Sequence, residues 1–127
     1  MNKSLALAAL TTAALLTGCS GSEPAKTYEN VADLKGAFVS AGGECQDWKE
    51  TNKVQIASQS GECGTKTVLS VYLSPEAVER RIETTKSSIF GDVGGDWLVG
   101  DNWIINTDNL GELPDKMGGR IVSFEGK

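Results

Sequence analysis

Residues 96–107 read Asp-Trp-Leu-Val-Gly-Asp-Asn-Trp-Ile-Ile-Asn-Thr and predict a β-hairpin. Two apolar arms, Trp97–Val99 and Trp103–Ile105, flank the turn Gly100-Asp101-Asn102. Gly, Asp and Asn tolerate the positive φ angles that tight hairpin turns require. One tryptophan stands on each arm, so the two could be cross-strand neighbours.

A helix is predicted before this hairpin. Ser74-Pro75-Glu76 combines a serine cap, a proline at the first helical position and an acid in the first turn. Val78, Ile82 and Ile89 follow as an apolar stripe, and Gly91 is expected to end the helix.

An earlier helix is predicted to begin at Asn30, whose side chain can cap it. Its apolar face recurs at helical spacing and consists of Val31, Leu34, Phe38 and Ala41. Gly42-Gly43 is expected to stop it, just before Cys45.

Two strands are predicted between these helices. Val54–Ser58 alternates apolar and polar residues, as a half-buried strand does. Thr67–Leu73 follows, with Leu69, Val71 and Leu73 on one face, and Ser60–Gly64 is expected to be the loop between the two strands.

The last elements are a weak helix and a strand. Gly111 and Pro114 both oppose a helix over 108–117, so a short or broken one is expected. Residues 120–124 predict the final strand. The order α-β-β-α-β-β-(α)-β indicates the α+β class: a single small domain with a mostly antiparallel sheet of about five strands and helices on one face.

The first nineteen residues predict a secretion signal ending at a cysteine. Lys3 is positive, and the uncharged run Leu5–Leu16 has 12 residues, fewer than the roughly 20 that span a bilayer. Leu16-Thr17-Gly18-Cys19 resembles the bacterial lipobox, in which the cysteine thiol receives a diacylglyceryl group and the signal is cut just before it. A buried N-terminal helix and an unanchored secreted protein are the alternatives.

This pattern divides the chain into a lipoprotein signal peptide (1–18), a lipidated cysteine with a flexible tether (19–27) and an extracytoplasmic domain (28–127). Two acyl chains on Cys19 would attach the protein to the outer side of the cell membrane without a basic patch. Removing 1–18 takes away one lysine and no acid, which leaves 11 basic and 17 acidic residues. That acidic balance argues against nucleic acid as a partner.

The remaining cysteines, Cys45 and Cys63, predict a disulfide in an oxidising compartment. A metal site on two cysteines is a poor alternative in a chain without histidine, and their spacing is unlike the redox motif C-x-x-C.

Catalytic equipment is sparse in the sequence. Without histidine, the serine–histidine and cysteine–histidine nucleophile pairs are excluded, and no phosphate-loop or nucleophile-elbow motif is present. Carboxylates near the hairpin could form a glycosidase-type pair or a calcium site, but a solvated acidic rim is the simpler interpretation; they are Asp92, Asp96, Asp101 and Asp108. The sequence predicts neither an enzyme nor a cofactor nor a metal site.

A binding surface is the other functional possibility. Aromatic rings can stack on sugars or anchor a protein partner, although such residues more often pack in the core. The candidates are Trp48, Trp97 and Trp103, with Asp101 and Asn102 in the hairpin turn.

The lipobox, the spaced pair Cys45 and Cys63, and the segment Leu98-Val99-Gly100-Asp101-Asn102-Trp103 together resemble small lipoproteins of actinobacteria. In those proteins a helix, Gly-Gly and a final strand follow the hairpin, as at 108–124 here. The resemblance implies neither catalytic residues nor a substrate, because that family carries no assigned activity.

The sequence therefore predicts a non-catalytic binding or accessory module of the cell envelope, with an envelope protein or a cell-wall polymer as its partner. The alternative is an inhibitor or immunity-type protein whose acidic surface blocks an extracytoplasmic enzyme.

Overall fold

A computed structural model describes residues 26–88 and 95–124, which form one antiparallel six-stranded sheet with three helices. The helices are α1 (Val31–Ser40), α2 (Pro75–Lys86) and α3 (Leu113–Met117). The strands are β1 (Trp48–Lys49), β2 (Gln59–Cys63), β3 (Thr67–Val71), β4 (Gly95–Val99), β5 (Trp103–Asn106) and β6 (Arg120–Phe124). Their order across the sheet is β1-β2-β3-β5-β4-β6, which confirms the predicted α+β class.

The helices cover both faces of the sheet, so the expectation of helices on one face is wrong. Helices α1 and α3 pack with Leu98, Trp103 and Ile105 on one face. Helix α2 packs with Val99 and Ile104 on the other. The physical reason is that both hairpin arms are continuously apolar, and such strands present large side chains to both faces and need cover on both.

Two helical connections build these layers. Helix α2 links β3 to β4, with β5 inserted between them, and α3 links β5 to β6 with β4 between them. Strand β5 consequently lies near the centre of the sheet, with one end at the β4–β5 turn and the other leading into α3.

The first two helices begin where the sequence predicts. Asn30 Oδ1 accepts the backbone N–H of Asp33 at 2.8 Å, and Ser74 Oγ accepts that of Ala77 at 3.1 Å. The whole predicted apolar face of α1 is buried. Helix α2 ends at Lys86, earlier than expected; Ile89 and Gly91 lie outside the described residues.

The strand predicted over 54–58 is wrong. Ile56 has left-handed backbone geometry (φ 77°), and Ile56 and Ala57 pack as loop residues against the core on the α2 side. Ile56 and Ala57 are apolar because they pack against the core from a loop, so the apolar and polar residues of 54–58 do not indicate a strand. Strand β2 occupies the predicted loop instead and pairs with β1, which the sequence does not predict.

The remaining elements match the predictions more closely. Leu69 and Val71 are buried on β3, but Leu73 lies beyond the strand end and is 88% exposed. Helix α3 is short, as expected, and β6 has the predicted bounds. Within 26–88 and 95–124, no helix combines the length and the apolar character needed to cross a membrane.

Candidate functional site

The predicted lipidation site lies outside the described residues, as do the rest of 1–25 and Asp92. Modification of Cys19 therefore stays a prediction. Lys26, the first described residue and part of the segment 19–27 that was expected to be a tether, already contacts the domain through Trp103.

The predicted disulfide is present. Cys45 and Cys63 are bonded, with their Cα atoms 4.6 Å apart. Strand β1 brings them together, because its antiparallel pairing with β2 places Trp48 opposite Cys63 and returns the chain after α1 to the end of β2.

The two hairpin tryptophans are core residues, not a binding surface. Trp97 is 3% exposed and Trp103 is 0% exposed. They lie on opposite faces of the sheet, and Trp97 pairs with Asn106, so the expected cross-strand contact is wrong. Trp97 instead packs on Phe124, with ring centroids 4.5 Å apart, and the Arg81 guanidinium lies 5.8 Å from its ring.

The turn residue Asn102 has a structural role as well. Its Oδ1 accepts the N–H of Tyr28 at 3.0 Å, and its Nδ2 donates to the Tyr28 carbonyl at 2.7 Å. The Trp103 indole N–H donates to the carbonyl of Lys26 at 2.6 Å. We call these contacts between 26–28 and the side chains of Asn102 and Trp103 the clamp.

The five residues proposed as a binding surface therefore do not form one. Trp48 is half-buried on β1, at the sheet edge far from the hairpin, and its ring covers Gly61. Of the five, only Asp101 is exposed.

A cleft of about 690 Å³ lies at the end of the sheet opposite the clamp. Three chain segments form its walls: the end of α1 with the loop to Asp47, the β2–β3 turn, and the β5–α3 connection with the start of α3. The buried side chains of Phe38 and Leu113 lie at its base. The volume falls within the range of about 300–1,000 Å³ that ligand sites occupy.

Bonds hold these walls together. The disulfide links the first wall to the second at Cys63. The hydroxyls of Thr67 and Thr107 share a 2.6 Å hydrogen bond between the second and third walls. Such connections favour a cleft that exists before a ligand arrives, and this lowers the entropic cost of binding.

The cleft carries more acid than base. Its charged lining consists of Glu44, Asp47, Lys66, Asp108, Glu112 and Lys116. The Lys66 amine lies 3.5 Å from the Asp108 carboxylate, and that of Lys116 lies 3.3 Å from Glu112. In the described part of the chain, no cation pairs with Glu44 or Asp47, so the lining has a net negative charge.

The three hairpin carboxylates that the structure describes do not converge on a catalytic pair. Asp101 and Asp108 lie at opposite ends of β5, and Asp96 accepts the hydroxyl of Ser123 at 2.8 Å on the sheet surface. Over 26–88 and 95–124, no group of three or more Cys, Asp or Glu side chains is arranged to hold a metal ion.

Sequence reasoning missed the cleft because its walls are separated by up to 60 residues. The only signals were the polar, glycine-containing loops at 42–47, 64–66 and 108–112, each of which predicts a turn and not a site.

Comparison with known proteins finds no matching family model, no similar curated protein and no similar solved structure. The resemblance to actinobacterial lipoproteins consequently stays a prediction.

Proposed function

We propose that this protein is a lipid-anchored extracytoplasmic lipoprotein of the cell envelope, attached through Cys19, and that it binds a partner in the cleft without catalysing a reaction. The lipobox pattern supports the anchor, and the Cys45–Cys63 disulfide is compatible with an oxidising compartment. The observation that carries the proposed binding role is the cleft, with its three cross-connected walls.

The chemistry of the lining favours a basic protein segment as the partner. Glu44 and Asp47, which pair with no cation among the described residues, stand on the first wall, where lysine or arginine side chains of a partner could pair with them. Threonine hydroxyls and the glycine backbone of the turns offer hydrogen bonds to a peptide. An anionic polymer would meet like charge at this site.

Metabolic labelling with an alkyne fatty acid tests the anchor. We expect the wild-type protein to carry the label and to sediment with membranes, because acylation requires the Cys19 thiol. A Cys19→Ser variant should lose both properties. Label or membrane attachment that persists in Cys19→Ser would contradict the anchor.

Site-specific photo-crosslinking in intact cells tests the cleft. A photoreactive residue at Thr65, exposed on the cleft wall, should capture a basic extracytoplasmic protein, whereas one at Asp101, exposed at the opposite end of β5, should not. Capture at both positions or at neither would contradict the cleft as the binding site, and capture of a cell-wall polymer at Thr65 would contradict a protein partner.

Charge variants provide matched controls. Asp47→Lys should reduce the yield of the Thr65 cross-link, because it places like charge against the partner. Lys66→Ala should raise the yield, because it makes the cleft more acidic by one charge. Equal yields from both variants would show that charge in the cleft does not select the partner.

A further inference from the structure

We propose that the clamp fixes the position at which the N-terminal chain joins the domain, so that the cleft faces away from the membrane. This inference rests on the proposed anchor at Cys19. It concerns the orientation of the domain, which the proposed binding role does not specify.

The clamp connects positions that are distant in sequence. Two hydrogen bonds join Tyr28 to Asn102, which are 74 residues apart in the sequence. One hydrogen bond joins Lys26 to Trp103, which are 77 residues apart. The rings of Tyr28 and Trp103 also meet edge to face, 6.0 Å apart. Segment 26–28 has no helix or strand of its own, so these contacts determine where it lies.

Further contacts hold Asn102 and Trp103 in place within the hairpin turn. The Trp103 ring lies against Gly100, where any Cβ would collide with it. The Gly100 N–H donates to the Trp103 carbonyl at 2.8 Å and closes the turn. Asn102 is also joined to β3, since Tyr72 N–H donates to its carbonyl at 2.8 Å.

The clamp and the cleft lie at opposite ends of the sheet. Trp103 is the first residue of β5 and pairs with Val71 at the end of β3. Thr107 lies just after the other end of β5, shares a hydrogen bond with Thr67 at the start of β3, and lines the cleft. Helix α1 follows shortly after Tyr28, at the clamp end, and runs from Val31 towards Ala41 at the cleft end.

The length of the chain between Cys19 and the clamp limits how the domain can orient relative to the membrane. From Cys19 to Lys26 the chain advances seven residues and reaches at most about 24 Å. A domain of about 100 residues is about 33 Å across. The clamped domain therefore cannot invert and bring its cleft to the bilayer. With the clamp open, the first fixed residue is Val31, twelve residues from Cys19, and a reach of about 41 Å permits inversion.

Hydrogen exchange of the Tyr28 amide tests the clamp in detergent micelles. Asn102→Ala removes its acceptor and should accelerate exchange at least tenfold, whereas Asn102→Asp keeps the acceptor and should have a smaller effect. The matched control is Asp101→Ala, which alters the neighbouring exposed side chain and should leave exchange unchanged. Equal exchange in all variants would overturn the clamp, and chemical shifts of β3 amides report whether each variant is folded.

Energy transfer from a labelled cysteine to acceptor lipids tests the orientation in vesicles. A label replacing exposed Leu73, at the clamp end, should lie closer to the bilayer than one replacing Thr65. Asn102→Ala, which removes both hydrogen bonds to Tyr28, should reduce the difference, and equal transfer from both positions in the wild type would overturn the proposal. A protein that does not float with the vesicles would contradict the anchor itself, whereas the exchange experiment reports on the clamp in either case.

Discussion

The ring of Trp48 lies directly over Gly61, so that a Cβ on this glycine would overlap the indole. Gly61 lies in β2 and Trp48 in β1, and the indole ring occupies the space that a side chain at position 61 would need. Such a close approach of a ring to the backbone is possible only without a Cβ, which explains the glycine at this position of β2.

Gly61→Ala should therefore destabilise the domain, by about 1–3 kcal/mol on the scale of overpacked sites. Gly36→Ala is the matched control, because Gly36 is exposed in α1 with open space around its Cβ position. It should stabilise the domain by about 0.5–1 kcal/mol through higher helix propensity. Urea denaturation measures both, and a destabilised Gly36→Ala or an unaffected Gly61→Ala would contradict this packing.

Reduction of the disulfide should lower the free energy of unfolding. The bond closes a loop with a separation of 18 residues, for which the chain-entropy estimate is about 3 kcal/mol. The variant Cys45→Ser/Cys63→Ser should show the same loss, and a reducing agent should then have no additional effect on it. A denaturation midpoint that does not change on reduction of the wild type would contradict the prediction.

Stability should fall in alkaline solution because of Tyr72. Burial raises the pKa of its hydroxyl, although the hydrogen bond between Tyr72 and Ser70 and the charge of Arg81 oppose the shift. Well below pH 10 the phenol is neutral in both states. As the pH rises through about 10, the unfolded chain loses the proton first, which lowers its free energy relative to that of the native state. Tyr72→Phe should flatten this decline, and parallel stability curves for both proteins between pH 9 and 11 would contradict the assignment.

The rim of the cleft should tolerate substitution. Lys66 and Asp108 are both exposed, and pairs of this kind contribute about 0–1 kcal/mol. Lys66→Ala should consequently leave the denaturation midpoint nearly unchanged, whereas Thr67→Val should lower it, because it removes the partner of Thr107 in a partly buried hydrogen bond. A large loss of stability in Lys66→Ala would show that the salt bridge supports the fold.

Local signals in the sequence predicted most of the elements, although not β1 and β2, and did not predict the layering of the helices on the sheet. Ser74-Pro75 and Asn30 marked helix starts, since caps depend on residues within one turn. The apolar runs of the hairpin predicted strands correctly, and their continuity could have indicated burial on both faces. Strand β2 could not be found, because its burial depends on Trp48 and on Asn52, whose Oδ1 accepts the Ser60 N–H at 2.9 Å.

The candidate site was less accessible to sequence reasoning than the fold. The tryptophans attracted attention as binding residues, yet their size makes them core-forming residues in a small domain. The disulfide was predictable from cysteine number, whereas the cleft depends on the convergence of three loops. Such convergence follows from the strand order, which local patterns do not determine.

The same strand order has a kinetic consequence. The pairs β2–β3 and β4–β5 are local hairpins, but β3 joins β5 only when residues 71 and 103 meet. Closure of this long loop costs entropy before its contacts form, so we expect joining of the two hairpins to limit the rate of folding. Stopped-flow mixing with a tryptophan signal would measure it: Leu69→Ala, at the β3–β5 seam, should slow refolding, whereas Lys49→Ala, on the outer strand, should not. Equal refolding rates in the two variants would show that pairing of β3 with β5 does not limit the rate of folding.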